Sequence, residues 1–469
     1  MHAAACAPDW RSAFRDLPRE HGFEPMAVEG RLPPDLRGTL YRVGPSLYAS
    51  FGERYRHWFD GDGAVSAVRF VDGAAQGAVR LVQSEGLLEE RRAGRRIFAA
   101  YGTPAAGGPI ARARSRYKNA ANTSVMAWNE GLYALFEGSL PTRIDADDLQ
   151  TLGTTSFGGV IPENFSAHPH RVPARRASYN FGVRFGRTTL LDVFELPDGG
   201  DARRIASLPL AGATMIHDFI ATENHLVFFA PPLRLHVLRQ LLGVAPYAEN
   251  LAWRPELGTE ILVVPIDRPT EPIRIEAEAF YQWHFSNAFE RDGRIVVDFV
   301  RYPDFSSNAW LGGLPHGEDR PARPGTFWRA TIDLHAKRFA AQQIWGTSCE
   351  FPRVAPAVQA RPYRHAWMAA HSGAYRGLYD RLAKVDVETG AVRVFDPGPG
   401  CYPSEPVFVP RPGGSAEDDG WVLALVYDAH AGRSHVAIVD GTSGETIARA
   451  WFDHHVPPTF HGGFAPLAR

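Results

Sequence analysis

Short apolar runs rich in β-branched and aromatic residues recur along the chain, each bounded by Gly, Pro, Asp or Asn. Examples are LLDVFEL from Leu190, HLVFFA from His225, EILVVPI from Glu260, RIVVDFVRY from Arg294, WVLALVYD from Trp421 and HVAIVD from His435. Runs this short between turn formers predict strands rather than helices. Four stretches also share one hairpin-like pattern, a β-branched residue and Asp followed by a polar turn and a second strand: RIDADDLQTLG at Arg143, ATIDLHAKRFAA at Ala330, KVDVETGAVRVF at Lys384 and IVDGTSGETIAR at Ile438. Weak repetition of one hairpin is what a propeller with divergent blades leaves in its sequence. Helical periodicity is rare. It is strongest in PPLRLHVLRQLLGVAPYAENLAW, where Leu235, Leu238, Leu241 and Leu242 share a face and Arg234 and Arg239 are interspersed. This 233–247 segment is expected to cap the sheets or to dip into a bilayer. No linker or charge block divides the chain, so residues 1–469 are read as one all-β domain, with 1–20 as an N-terminal extension.

Composition narrows the partners. The 469 residues carry 50 Lys plus Arg against 52 Asp plus Glu, so no overall field favours a polyanion, and nucleic acid is not expected. A hydrophobic content of 45% supports a large core. Cys6, Cys349 and Cys401 are too few and too scattered for a disulfide framework or a thiolate cage, which fits a reducing, cytoplasmic setting. The stretch MHAAACAPDWRSAF lacks the cationic and apolar regions of a secretory leader, and no run approaches the length of a membrane span. The expectation is a soluble protein or one peripheral to a membrane.

Eighteen histidines are present, and most histidines in any protein are solvated or packed rather than ligating. Four nevertheless sit beside apolar or strand-like residues: His168 in FSAHPH, His217 in TMIHDFI, His284 in FYQWHFSNAF and His461 in PTFHGGF. The first three are 49 and 67 residues apart, about one blade of roughly 40 to 50 residues plus loops each. Successive blades would then aim one imidazole apiece at a common axis.

The segments Gly38 to Tyr48, His57 to Phe70, Ala121 to Val125, Leu132 to Gly153, the four histidine motifs and EFPRV from Glu350 resemble, in order, the carotenoid cleavage oxygenase family. The resemblance implies a seven-bladed β-propeller with a small helical and loop cap over the metal-bearing face. It also implies one Fe(2+) per chain held by His168, His217, His284 and His461, while His170 and His225 match no ligand position and are read as ordinary residues. Three glutamates of the family motifs match Glu137, Glu350 and Glu405, and each would accept the outer N–H of a ligating imidazole and so fix its tautomer. Thr123 matches a threonine whose methyl lies near an open coordination position. Four nitrogen ligands suit a borderline metal rather than Mg²⁺ or Ca²⁺, and iron is preferred over zinc because zinc has no redox step with which to activate O₂.

The implied reaction is scission of a C=C bond of a lipophilic polyene, a carotenoid or apocarotenoid, by O₂ to give two carbonyl products. Such a substrate offers few polar handles, so an apolar tunnel must hold it by shape; Phe136, Trp283, Phe285, Tyr302 and Phe351 are the expected walls. Stilbene-cleaving relatives carry a lysine immediately before the first glutamate, able to pair with a phenolate, and this chain has Phe136 there. A stilbene substrate stays open as an alternative through Tyr101 and through Lys118, close in sequence to Thr123. Two further alternatives are a non-catalytic retinoid or carotenoid binder and a non-oxidative isomerase.

Overall fold

A computed structural model describes residues 9–373 and 376–467. Seven antiparallel sheets follow one another around a ring, as expected of a seven-bladed propeller. Blade 1 combines Gly38–Leu47, Asp62–Val71, Ala74–Leu81 and His21–Pro25 with His461–Pro466 from the far end of the chain. Blades 2 to 6 are four-stranded and begin with Ser124–Trp128, His170–Val172, Ile220–Ala221, Phe285–Arg291 and Cys349–Val354 respectively. Blade 7 contains Cys401–Pro403, Val407–Pro410, Gly420–Asp428, Arg433–Asp440 and Thr446–Trp451, with Ala27–Gly30 added at its edge.

The ring is thus closed twice. Ala27–Gly30 pairs with Thr446–Trp451 on blade 7, and His461–Pro466 pairs with Gly38–Leu47 on blade 1. The apolar core lies between blades: Leu40, Val68 and Val79 of blade 1 share a cluster with Leu423, Val436 and Ile438 of blade 7, and Val227, Ile261 and Phe285 join Val297 and Ile332 across blades 4 and 5. Central strands such as Leu190–Pro197, His225–Ala230 and Gly420–Asp428 therefore bury both faces against neighbouring sheets, which explains their near-continuous apolar pattern.

The four recurrent hairpins occupy equivalent outer positions in blades 2, 5, 6 and 7. Their shared aspartate has a local cause. Asp145, Asp333, Asp386 and Asp440 each accept a backbone N–H two or three residues on, from Asp147, Ala336, Glu388 and Thr442, at 2.8, 2.8, 3.0 and 3.0 Å. These side chains build the turn themselves.

Three excursions between strands roof one face. They hold the helices Glu85–Ala93 and Pro109–Ala113, the hairpin of Leu233–Leu235 with Leu251–Trp253, and the helix Ser306–Gly313. The amphipathic helix expected over 233–247 is shorter than its periodicity suggests: only Val237–Leu241 is helical, because Leu235 is drawn into pairing with Leu251. Of the segment set aside as an extension, residues 1–8, including Cys6, lie outside the described residues. Trp10–Ala13 instead form a 3-10 turn whose Trp10 packs, with Phe14, against Tyr48, Trp58 and Leu314. Cys349 and Cys401 are free and buried. Among the described residues no helix is long and apolar enough to cross a membrane.

Closure through the N-terminal strand sets a test at Gly30. Its φ is +83°, and an added Cβ would lie 2.3 Å from the Ile447 carbonyl oxygen. Gly30→Ala is expected to cost about 1–3 kcal/mol and to lower the midpoint of thermal unfolding by a few degrees. An unchanged midpoint would show that this strand does not close the ring.

Candidate metal centre

The four histidines expected to converge do so. His168, His217 and His284 immediately precede or abut the first strands of blades 3, 4 and 5, and His461 opens the inserted strand of blade 1. All four are buried, and their ring nitrogens lie within 4.8 Å of one another. His168 Nε2 is 3.1 Å from His217 Nε2, which is 3.3 Å from His284 Nε2. His461 packs 4.6 Å, ring to ring, from both His168 and His284. Two nitrogens at right angles, each about 2.1 Å from one ion, are roughly 3.0 Å apart, so the spacing fits a shared metal.

The outer nitrogens decide which atoms face inward. His217 Nδ1 lies 3.1 Å from both oxygens of Glu137, His284 Nδ1 lies 2.5 Å from Glu350 Oε2, and His461 Nδ1 lies 2.9 Å from Glu405 Oε1. A carboxylate acceptor at Nδ1 holds the proton there and leaves the Nε2 lone pair free toward the centre. Burial pulls the His168 and His461 pKa values down, His461 to about 4, with the neighbouring imidazoles adding to the effect. His284 is shifted upward because, against the effect of burial, Glu350 favours its charged form.

The three glutamates are held differently. Glu405 sits wholly buried against the Arg42 guanidinium at 2.5 Å, with Arg353 at 3.5 Å and the Gly462 N–H at 3.2 Å. Burial opposes its charge, yet Arg353, His461 and Arg42 outweigh burial and hold its pKa far below the usual carboxylate range. Glu350 receives the Tyr302 hydroxyl at 3.0 Å and the Phe351 N–H at 2.6 Å. Glu137 is partly open to the cavity beside it. The roles of Arg42, Arg353 and the Tyr302 hydroxyl were not read from the sequence; Arg42 lies inside GTLYRVGPSLY, but nothing there marks a partner 363 positions away.

Two strands break register where they carry these groups. The ladder shifts between Phe285 and Asn287 beside His284, and between Glu350 and Arg353. Phe351 adopts φ +57° within the second shift. Bulges re-aim side chains at such sites, and a non-glycine residue in this region stores on the order of 1–3 kcal/mol of strain. The bulges turn Glu350 onto His284 and Phe351 to a ring separation of 5.3 Å from both His284 and His461.

An elongated, largely apolar cavity of about 740 Å³ reaches these groups. His217, His284, His461 and Thr123 border it, whereas His168 lies behind them. Phe136, Trp283, Tyr302 and Phe351 line it as expected. Phe285 does not: its ring turns into the core between blades 4 and 5, 4.9 Å from Phe229. Walls missed in the sequence include Phe59, Met215, Tyr247 and Leu311, which come from the excursions and blade ends. Thr123 borders the cavity, and its hydroxyl donates to Asn122 Oδ1 at 3.0 Å. Tyr101 donates to Asn308 Oδ1 at 2.8 Å, and burial raises its pKa, keeping the phenol protonated. Lys118 takes no part. Its ammonium is buried on Tyr55, Asp62 and Glu90 at 2.6, 2.9 and 3.0 Å.

The family model described as retinal pigment epithelial membrane protein matches residues 14–466. The chain belongs to the carotenoid cleavage oxygenase family. It is 35% identical to the apocarotenoid-15,15'-oxygenase of Synechocystis, over 97% of this chain and 96% of that one. It is 30% identical to the lignostilbene-alpha,beta-dioxygenase isozyme III of Sphingomonas paucimobilis, over 97% and 96% of the two chains. The crystal structure of cobalt-substituted Synechocystis apocarotenoid oxygenase superposes with a TM-score of 0.90 at 34% identity, covering 98% of both chains. Like these relatives, the chain is a cleavage dioxygenase built on the seven-bladed propeller.

Arg42 supplies the clearest test of the site's electrostatics. Arg42→Met should cost about 3–5 kcal/mol, because it leaves Glu405 charged and buried. Chemical denaturation measures this, and a loss below about 1 kcal/mol would show that the pair is dispensable.

Proposed function

We propose that the chain is an Fe(II)-dependent dioxygenase that cleaves one C=C bond of a carotenoid or apocarotenoid, dividing the two atoms of O₂ between two carbonyl products. The observation that carries this reading is a long apolar cavity that ends on buried imidazole nitrogens whose outer N–H groups are fixed by carboxylates. His168, His217, His284 and His461 would hold the iron, one per chain, and when bound it supplies the activation of O₂ that neither the protein nor a polyene provides. Glu137, Glu350 and Glu405 hold three imidazoles in the ligating tautomer. Phe136, Trp283 and Phe351 confine a flat polyene beside the centre, and the Thr123 hydroxyl is already engaged by Asn122. Apolar walls also keep bulk water from the reacting bond.

A stilbene substrate is favoured by the lignostilbene relative and by the Tyr101 phenol in the cavity wall. Two features weigh against it. Phe136 stands where a phenolate would need a cation, and Lys118 is committed to Asp62 and Glu90 rather than to the cavity. Offered an apocarotenal and resveratrol side by side, the iron-loaded enzyme is expected to shorten the apocarotenal to aldehydes identified by mass. Aldehydes from resveratrol alone would overturn the substrate assignment, and unchanged chain length with altered cis/trans geometry would indicate an isomerase.

The metal assignment has its own test. His284→Ala should abolish iron retention after desalting, and Glu350→Gln should weaken it roughly tenfold to hundredfold. Unchanged iron in His284→Ala would contradict the ligand set.

We also propose that the enzyme works in the cytoplasm at a bilayer surface, from which it draws its substrate. Leu238, Leu241, Leu242 and Val244 are 54–70% exposed. Ile110 is exposed on the neighbouring short helix, whose Ala113 lies against Gly243. Leu241, Val237 and Leu235 of the same segment line the cavity, so the exposed patch adjoins it. Leu238→Asp with Leu241→Asp is expected to abolish co-sedimentation with neutral phosphatidylcholine vesicles; undiminished co-sedimentation would remove this role.

A further inference from the structure

His168 differs from the other three histidines. Among the described residues no carboxylate pairs with its ring, whereas Glu137, Glu350 and Glu405 each hold one of the others. Its orientation must come from its backbone. Two residues on, His170 Nε2 lies 2.8 Å from Asp218 Oδ1. Asp218 follows His217 directly, is buried, and takes the Phe219 N–H on Oδ1 at 2.8 Å. Its other oxygen, Oδ2, accepts the N–H of Phe285 at 2.9 Å, and Phe285 follows His284.

One carboxylate, on the residue after His217, therefore joins the ligand-bearing ends of three consecutive blades, touching the N–H of Phe219, the N–H of Phe285 directly after His284 and the His170 side chain two residues after His168. We infer that Asp218 and His170 are positioning residues for the metal centre, setting the separation of three ligand strands and substituting for the carboxylate that the His168 imidazole lacks. Pro169 makes the linkage stiff. Its ring fixes one backbone torsion and restricts the residue before it, so anchoring His170 also anchors the Cα of His168. The His170 ring is held from the side as well, edge-on to Phe219 at 5.0 Å, and Phe219 stacks on Phe228 at 5.1 Å. Asp218 thus accepts three hydrogen bonds without touching a ligating nitrogen. His170 is therefore more than the ordinary residue that its absence from the ligand positions suggests.

This rests on the four-histidine centre proposed above, and titration with cobalt(II) separates the two. Wild-type protein that binds no cobalt would refute the centre itself. Given binding by wild type, His170→Phe, which removes the donor while keeping a flat ring, is expected to weaken cobalt binding roughly tenfold to hundredfold and to shift the visible ligand-field bands. His170→Gln keeps an N–H that can reach Asp218 and should restore most of the affinity and the spectrum. Asp218→Asn should resemble His170→Phe; if it does not fold, the two His170 variants decide, since His170 is partly exposed and its replacement leaves the core intact. His225→Phe, which breaks a pairing at 2.9 Å between His225 of blade 4 and Glu290 of blade 5, should leave both readouts unchanged. A His170→Phe protein with a lowered unfolding midpoint but wild-type cobalt affinity and spectrum would overturn the inference, reducing the pair to a fold staple.

Discussion

Four buried imidazoles whose ring nitrogens lie within 4.8 Å of one another, two of the pairs at 3.1 and 3.3 Å, make an unfavourable arrangement without a cation between them. Their lone pairs repel, and burial resists the protonation that would otherwise turn one into a donor. Much of the rest of the structure can be understood as holding this arrangement in place. The inner strands deliver one histidine each from blades 3, 4, 5 and 1, the bulges at Phe285 and Glu350 aim the side chains, and the double closure locks the strand that carries His461. Because that strand enters at the far end of the chain, the centre is complete only when the ring is.

The surrounding charges are graded. Glu405 is neutralised by Arg42 and Arg353, so His461 borders a carboxylate whose charge is already offset. Glu350 and Glu137 have no arginine partner among the described residues, and formally they match a dipositive ion held by four neutral nitrogens. A neutral centre of this kind can sit at the end of an apolar channel without a large desolvation cost. That balance reconciles a metal site with the apolar substrate proposed for it.

Much of this was legible in the sequence because its histidine and glutamate motifs resemble those of a known family, whereas spacing alone suggested only that three histidines lie about one blade apart. The histidines, Glu350 and Glu405 fall on or beside the inner strands of their blades, whereas Glu137 follows the second strand of blade 2, and the recurrent Asp marks the outer turn through its own hydrogen bonds. What escaped depends on long-range or parity-sensitive geometry. Phe285 directly follows His284, and because successive side chains of an extended strand take opposite faces its ring enters the core while His284 faces the centre, so a residue expected in the channel wall became core. Lys118 looks available near Thr123 until the fold brings Asp62 and Glu90 onto its ammonium. The 235–242 leucines keep a helical period, yet strand pairing at Leu235 leaves only Val237–Leu241 helical. Arg42 and Asp218 had no local signal at all, since their partners lie in other blades.

The number of imidazoles on the metal tests the central claim most directly. Extended X-ray absorption fine structure of the anaerobically iron-loaded wild-type protein resolves the outer-shell scattering of histidine rings, and four rings per iron are expected. Two or fewer, with the remaining positions filled by oxygen, would show that the four nitrogens do not share one ion.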